Sequence, residues 1–226
     1  MNLGGVRWVT FDCYGTLIDW ETGILSVVRP LAPGVDDSAI LAAYSRLERA
    51  VQSGPYLTYR DVLSRVMAGL AETFGIPTGG PQLDALADSL GSWPAFAETP
   101  AALAALQRRF KLAVISNIDD DLFRGSAPRL GVTLDAFISA QQCRSYKPSL
   151  RNFRVAMERT AAVPGEILHV AESLYHDIAP ARELGIRTAW VNRRPGGAGA
   201  SGTAPTRPDL EVRSLTELVA RLVGTA

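Results

Sequence analysis

Apolar residues fall into two kinds of pattern along this chain. Short apolar runs occur at residues 6–11, 112–116, 136–139, 167–171 and 188–191. Runs of that length, apolar on both faces, predict buried strands of a parallel sheet. Between them, residues 99–110, 119–130, 149–161 and 174–184 repeat apolar positions at intervals of three and four. That period predicts helices with one buried face. Pro100 lies inside the first turn of one such run, and Gly131 and Gly185 follow two others, as helix starts and stops require. Strand and helix alternate, so the fold class expected is α/β, a Rossmann-like parallel sheet.

The alternation breaks once. No strand pattern occurs from residue 20 to 90, where helical periodicity covers 23–31, 38–52, 59–74 and 81–90. An inserted all-helical cap is therefore expected at residues 19–93, with residues 1–18 and 94–226 forming the catalytic core. The stretch 193–208 is rich in Gly, Ala, Ser and Pro and is expected to be a mobile loop.

Composition narrows the picture. The chain has 226 residues, 47% hydrophobic, enough for one sizeable core with an insertion. Lys plus Arg and Asp plus Glu are 23 each, so no net charge draws the protein to nucleic acid or to an anionic membrane. Two cysteines, Cys13 and Cys143, do not make a disulfide framework. Residues 1–6 carry no long apolar segment, and no run reaches membrane-spanning length. A cytoplasmic protein is expected.

The candidate chemistry sits where strands end. Ligands of open α/β sheets bind at the carboxyl ends of the strands. Asp12 ends the first run, beside Gly15; alone it also reads as a turn cap. Ser116 and Asn117 end the second run and suit either a negative substrate group or a helix cap. Lys147 precedes Pro148, and a lone lysine is ordinarily a solvated charge. Glu172 and Asp177 follow the fourth run; they suit a cation, the lysine, or for Asp177 the first turn of a helix. His169, inside a strand pattern, reads as a partly buried structural residue. His176 is expected to face the mouth of the site, and Arg193 and Arg194 read as surface charges.

In order and spacing these segments resemble the haloacid dehalogenase superfamily: Asp12-Cys13-Tyr14-Gly15-Thr16-Leu17, then Ser116-Asn117, then Lys147-Pro148, then Glu172 to Asp177. The resemblance spans nearly the whole chain, and the helical insertion sits where that superfamily places one type of cap. It implies a covalent mechanism in which Asp12 attacks an electrophile and water hydrolyses the intermediate. Thr16, Ser116, Lys147 and Asp177 would then be catalytic.

The branch is indicated by Tyr14. Phosphatases of the superfamily carry an acid two residues after the nucleophile, and a phenol is a poor acid at neutral pH. The form Asp-x-Tyr-Gly-Thr resembles the 2-haloacid dehalogenase branch, whose halide leaves without a proton. Tyr14 also reads as packing under the cap. Tyr14, Trp20 and Asn117 are the expected substrate contacts. The branch's halide-gripping cap arginine aligns near Ala43 or Tyr44, with Arg46 and Arg49, one turn on, as candidate substitutes and Arg46 taken as the substrate contact. Phe153 stands where the branch has tyrosine, and Glu172-Ser173-Leu174 where it has Ser-Ser-Asn.

No cofactor is required on this reading. Mg²⁺ stays open through Asp12 and Glu172, although an ion pair between Glu172 and Lys147 is favoured. A small-molecule substrate is expected, with no nucleic-acid or membrane partner and a homodimer left open. The alternatives are a Mg-dependent phosphatase and a hydrolase that opens a strained ring at carbon.

Overall fold

The computed structural model describes residues 4–77, 79–194 and 204–224. Strand β1 is Trp8–Phe11. Four helices follow it: α1 Trp20–Val28, α2 Asp37–Gln52, α3 Tyr59–Phe74 and α4 Ala85–Ser89. The chain then continues as α5 Thr99–Gln107, β2 Lys111–Ser116, α6 Asp120–Ser126, β3 Ala136–Ser139, α7 Ala140–Cys143 and α8 Leu150–Thr160. It ends with β4 Ile167–Ala171, α9 Ala179–Glu183, β5 Arg187–Val191, β6 Leu210–Val212 and α10 Leu215–Val223. Between β4 and α9 lies a wide turn of π-helix, Leu174–Ile178.

The strands form one parallel sheet in the order β3-β2-β1-β4-β5-β6. Successive side chains of a strand point to opposite faces, so each strand serves two cores. Val9, Phe11, Leu112, Val114, Leu168 and Val170 feed one core; Trp8, Ala113, Ile115 and Ile167 feed the other. Burial on both faces explains why these strands read as unbroken apolar runs. The chain changes direction across the sheet at β1, with β2 on one side and β4 on the other, which places a crevice at their carboxyl ends.

All five expected strands are present. The sixth, β6, has only three residues and too little pattern to see in the sequence. The long expected helices at 119–130 and 174–184 are shorter than their periodicity suggests. The first tightens into a 3-10 turn at Ala127–Leu130, which contains Pro128, and the second opens with the π turn. Most of the expected loop 193–208 lies outside the described residues. Among the described residues no helix is long and apolar enough to cross a membrane.

The two crossings between sheet and helical insertion are joined to each other. The Asp19 N–H donates to the Pro94 carbonyl at 2.8 Å and the Phe96 N–H to the Leu17 carbonyl at 3.1 Å. Gly23 of α1 lies against the Trp93 ring so closely that a Cβ there would stand 2.3 Å from ring carbons. Small size, not backbone freedom, is what that position needs.

Candidate active site

Asp12 follows β1 directly and extends its ladder, its N–H donating to the Val170 carbonyl at 3.0 Å. The chain then turns sharply. Gly15 takes φ +102, a conformation open to glycine, and any Cβ there would meet the Trp20 indole at 3.1 Å. The turn returns Thr16 beneath the carboxylate, where its hydroxyl donates to Asp12 Oδ2 at 2.7 Å. The same hydroxyl accepts from the Glu172 N–H at 2.9 Å.

Lys147 arrives from 135 residues away and is only 2% exposed. Its ammonium donates to Asp12 Oδ1 at 2.8 Å, Asp177 Oδ1 at 2.6 Å and the Ile115 carbonyl at 2.9 Å. Those three bonds use all of its hydrogens. The favoured pairing of Lys147 with Glu172 is therefore corrected: the lysine's acidic partners are Asp12 and Asp177. The π turn carries Asp177 inward beneath the sheet edge, while the Glu172 backbone is tied to Thr16 and, through its carbonyl, to the Trp190 indole at 2.7 Å.

Behind the lysine runs a buried polar chain. His169 Nε2 lies 3.0 Å from Asp177 Oδ1, and Thr10 Oγ1 lies 2.9 Å from His169 Nδ1. An ionised carboxylate only accepts, so Nε2 carries the hydrogen and the threonine hydroxyl donates to Nδ1. His169 is thus fully buried, and its role is to hold Asp177.

Electrostatics follow from this packing. Burial raises the pKa of Asp12 above the usual 3.8, against the opposing pull of Lys147, so its carboxylate is more basic than an ordinary one. Burial acts on Asp177 too, but Lys147 and His169 outweigh it and hold that carboxyl down at about 2. Burial alone would depress the Lys147 ammonium; Asp12 and Asp177 more than compensate, and it stays above its ordinary value. Burial lowers His176 from 6.5 to about 4, which leaves it neutral at physiological pH.

These groups open onto a cavity of about 90 Å³ between the sheet edge and the helices of the insertion. Asp12, Ser116, Lys147, Asp177 and His176 line it from the core. Trp20, Tyr44, Glu48, Arg49 and Tyr59 line it from the other side. The Ser116 hydroxyl has no protein partner among the described residues, so it is free for an occupant. Asn117 also borders the cavity, yet both ends of its amide hold the Lys147 backbone, at 2.7 and 3.1 Å. It positions the lysine segment.

Tyr14 is committed as well. Its hydroxyl donates to Ser126 Oγ at 2.9 Å, its ring meets Trp93 edge-on, and burial pushes the phenol well above its usual range. The packing alternative for Tyr14 therefore holds, although the ring still borders the cavity.

Arg46 is corrected. It faces a neighbouring cleft shared with Ser38, Leu41 and Arg194, and Arg49, one turn on, is the arginine at the cavity. Arg193 is corrected too. It is no loose surface charge: its guanidinium donates to Glu98 and to the Thr16 carbonyl at 2.8 Å each, and stacks 3.6 Å over the Phe96 ring. It clamps the turn that carries Thr16.

A model of the haloacid dehalogenase-like hydrolases matches residues 6–185. The chain belongs to that family. Among curated proteins it is 26% identical over 194 residues to (S)-2-haloacid dehalogenase 1 of a Pseudomonas species, covering 83% of this chain and 85% of that one. It is 29% identical over 201 residues to a phosphoserine phosphatase of Thermus thermophilus, covering 84% and 76%. Among solved structures, the L-2-haloacid dehalogenase of Xanthobacter autotrophicus superposes with a TM-score of 0.84 at 23% identity, over 98% of this chain and 100% of that one.

In this dehalogenase-like hydrolase Asp12 and Glu172 are the side chains that would hold Mg²⁺. Both Asp12 oxygens are engaged, by Thr16 and by a cation, and Asp177 is shared between Lys147 and His169. Among the described residues no three His, Cys, Asp or Glu side chains gather as a metal site. Sequence reasoning missed Glu48 and Tyr59, and the polar role of Tyr44, on the opposite wall of the cavity. Tyr44 and Glu48 lie four apart on α2, a spacing that faces both the same way, which was the one signal available.

Proposed function

We propose that this protein is a hydrolase in which Asp12 displaces a leaving group, most simply a halide, from C2 of a small carboxylic acid. One observation carries the reading. The Asp12 carboxylate sits at a cavity, oriented by Thr16 and Lys147, while Tyr14, the side chain where a leaving-group acid would stand, is tied to Ser126. A site without that acid suits a leaving group that departs unprotonated.

In the first step an Asp12 oxygen forms a bond to C2, and the carbon–halogen bond breaks with its electron pair leaving as halide. The product is an ester of Asp12. Water then adds to the ester carbonyl and releases the 2-hydroxy acid, restoring the carboxylate. Lys147 neutralises charge on the Asp12 oxygens in both steps. Asp177 and His169 keep the lysine in place, and Ser116 and Arg49 bind the substrate's carboxylate. Trp20 and Tyr14 shape the apolar wall. Residues 19–93 act as the cap over a core of residues 1–18 and 94–226, excluding bulk water during displacement.

The test is halide release from chloroacetate and from both enantiomers of 2-chloropropionate, with intact-mass detection of an ester on Asp12. Single turnover in ¹⁸O-water should place the label first in Asp12 rather than in the product. Asp12→Asn should keep the fold and lose turnover. Absence of halide from all three acids, with metal-dependent phosphate release lost in Glu172→Ala, would favour the phosphatase alternative instead.

A further inference from the structure

The wall of the cavity opposite Asp12 carries a constellation that displacement by Asp12 does not use. The Tyr59 hydroxyl donates to Glu48 Oε1 at 2.6 Å, the Tyr44 hydroxyl to the same oxygen at 3.2 Å, and the two hydroxyls lie 3.1 Å apart. Both phenols are buried, and all three residues line the cavity that Asp12 enters.

We propose that Glu48, held by Tyr44 and Tyr59, is a specificity-determining residue that accepts a hydrogen bond from a hydroxyl or ammonium group on the substrate.

Three features support this. Only one oxygen of Glu48 is spent on the tyrosines; among the described residues Oε2 has no hydrogen-bond partner and is free for an occupant. Glu48 also has no ion pair among the described residues, although Arg49 borders the same cavity. Finally, an acid here is unfavourable for a plain haloacid. The substrate's own carboxylate would enter a cavity holding Asp12, Asp177 and Glu48 against Lys147 and Arg49. A donor placed on Oε2 offsets that excess, most strongly if it is a cation. Burial, the largest effect on Glu48, pushes its carboxyl above the ordinary range, and a cation beside it would favour the ionised form. A purely structural tie between α2 and α3 would need Oε1 alone.

The inference extends the Asp12 reading by naming what else the substrate carries, so its test is kept independent of turnover. Propionate, 3-hydroxypropionate and 3-aminopropionate have no leaving group and differ only in the donor. Titrated into the wild-type protein by calorimetry, one or both donor-bearing acids should bind at least roughly tenfold more tightly than propionate, the usual effect of a hydrogen bond to a charged group. Glu48→Gln keeps an acceptor and loses the charge, so it should erase a preference for the amine and spare one for the alcohol. Glu48→Leu should erase both.

Equal affinities in the wild type, no binding of either donor-bearing acid, or a preference that survives in Glu48→Leu would each overturn the proposal. If Glu48→Leu does not fold, the wild-type and Glu48→Gln titrations decide. A donor preference that depends on Glu48, together with no halide from any 2-chloro acid, the donor-bearing 2-chloro-3-hydroxypropionate included, would sink the Asp12 reading and leave this one standing.

Discussion

Replacing Lys147 with methionine keeps an unbranched apolar stem, shorter only by the terminal atom, and deletes the charge, which isolates what the ammonium does. In the wild type the ammonium nitrogen binds Asp12 Oδ1 at 2.8 Å and Asp177 Oδ1 at 2.6 Å, so those oxygens lie no further apart than the sum of the two distances. Two carboxylates about 5 Å apart repel by roughly 3 kcal/mol at an effective dielectric near 20. Removing one partner of a buried ion pair costs about 3–5 kcal/mol by experience, in line with that figure.

The pH dependence gives the sharper test. Without the lysine, burial and mutual repulsion raise the folded pKa of at least one carboxyl above its unfolded value. Such a group destabilises the fold at high pH, and the penalty shrinks as pH falls toward the unfolded value. A penalty of about 3 kcal/mol corresponds to a rise of roughly two pKa units. The deficit of Lys147→Met should therefore narrow between about pH 7 and pH 4. In the wild type, Asp177 behaves the opposite way. Its folded pKa of about 2 lies below 3.8, so its contribution is complete above that value and is lost as pH falls from 3.8 toward 2.

Urea unfolding followed by circular dichroism, at several pH values across this range, measures both curves. A further Asp177→Asn change should recover part of the loss at neutral pH. A deficit below about 1 kcal/mol at neutral pH, or one that does not vary with pH, would refute the reasoning.

Three further outcomes follow from the same geometry. Thr16→Val keeps the shape and deletes the bond to Asp12 Oδ2 at 2.7 Å; kcat should fall about 10- to 100-fold with little change in KM, read by halide release. Gly23→Ala drives a Cβ into the Trp93 ring and should cost about 1–3 kcal/mol in thermal or urea unfolding, whereas an unchanged melting temperature would mean the insertion gives way there freely. His176, held at about 4 in the fold against 6.5 unfolded, contributes stability that is complete above 6.5 and lost as pH falls toward 4. That loss is at most about 3 kcal/mol, and His176→Gln should flatten the stability curve over this window.

Local sequence was enough for much of the molecule. Unbroken apolar runs named five strands because parallel strands buried on both faces cannot afford polar alternation. Asp12, Ser116 and Glu172 were legible as strand-end residues because a parallel sheet puts every carboxyl end on one edge. Whether Asp177 or Glu172 meets Lys147 was not legible. Which acid meets a lysine 135 residues from Asp12 depends on the π turn that swings Asp177 inward, and nothing in the local pattern marks that turn. Arg46 and Arg49 stand only about 60° apart around their helix axis, so periodicity could not choose between them. The docked angle of α2 settled it, and the same angle brought Tyr44 and Glu48 onto the cavity with Tyr59. Arg193 likewise found its partners, Glu98 and the Thr16 carbonyl, only once β5 was laid beside β4. Burial pattern is written along the chain, but contacts between distant polar groups exist only after the layers have packed.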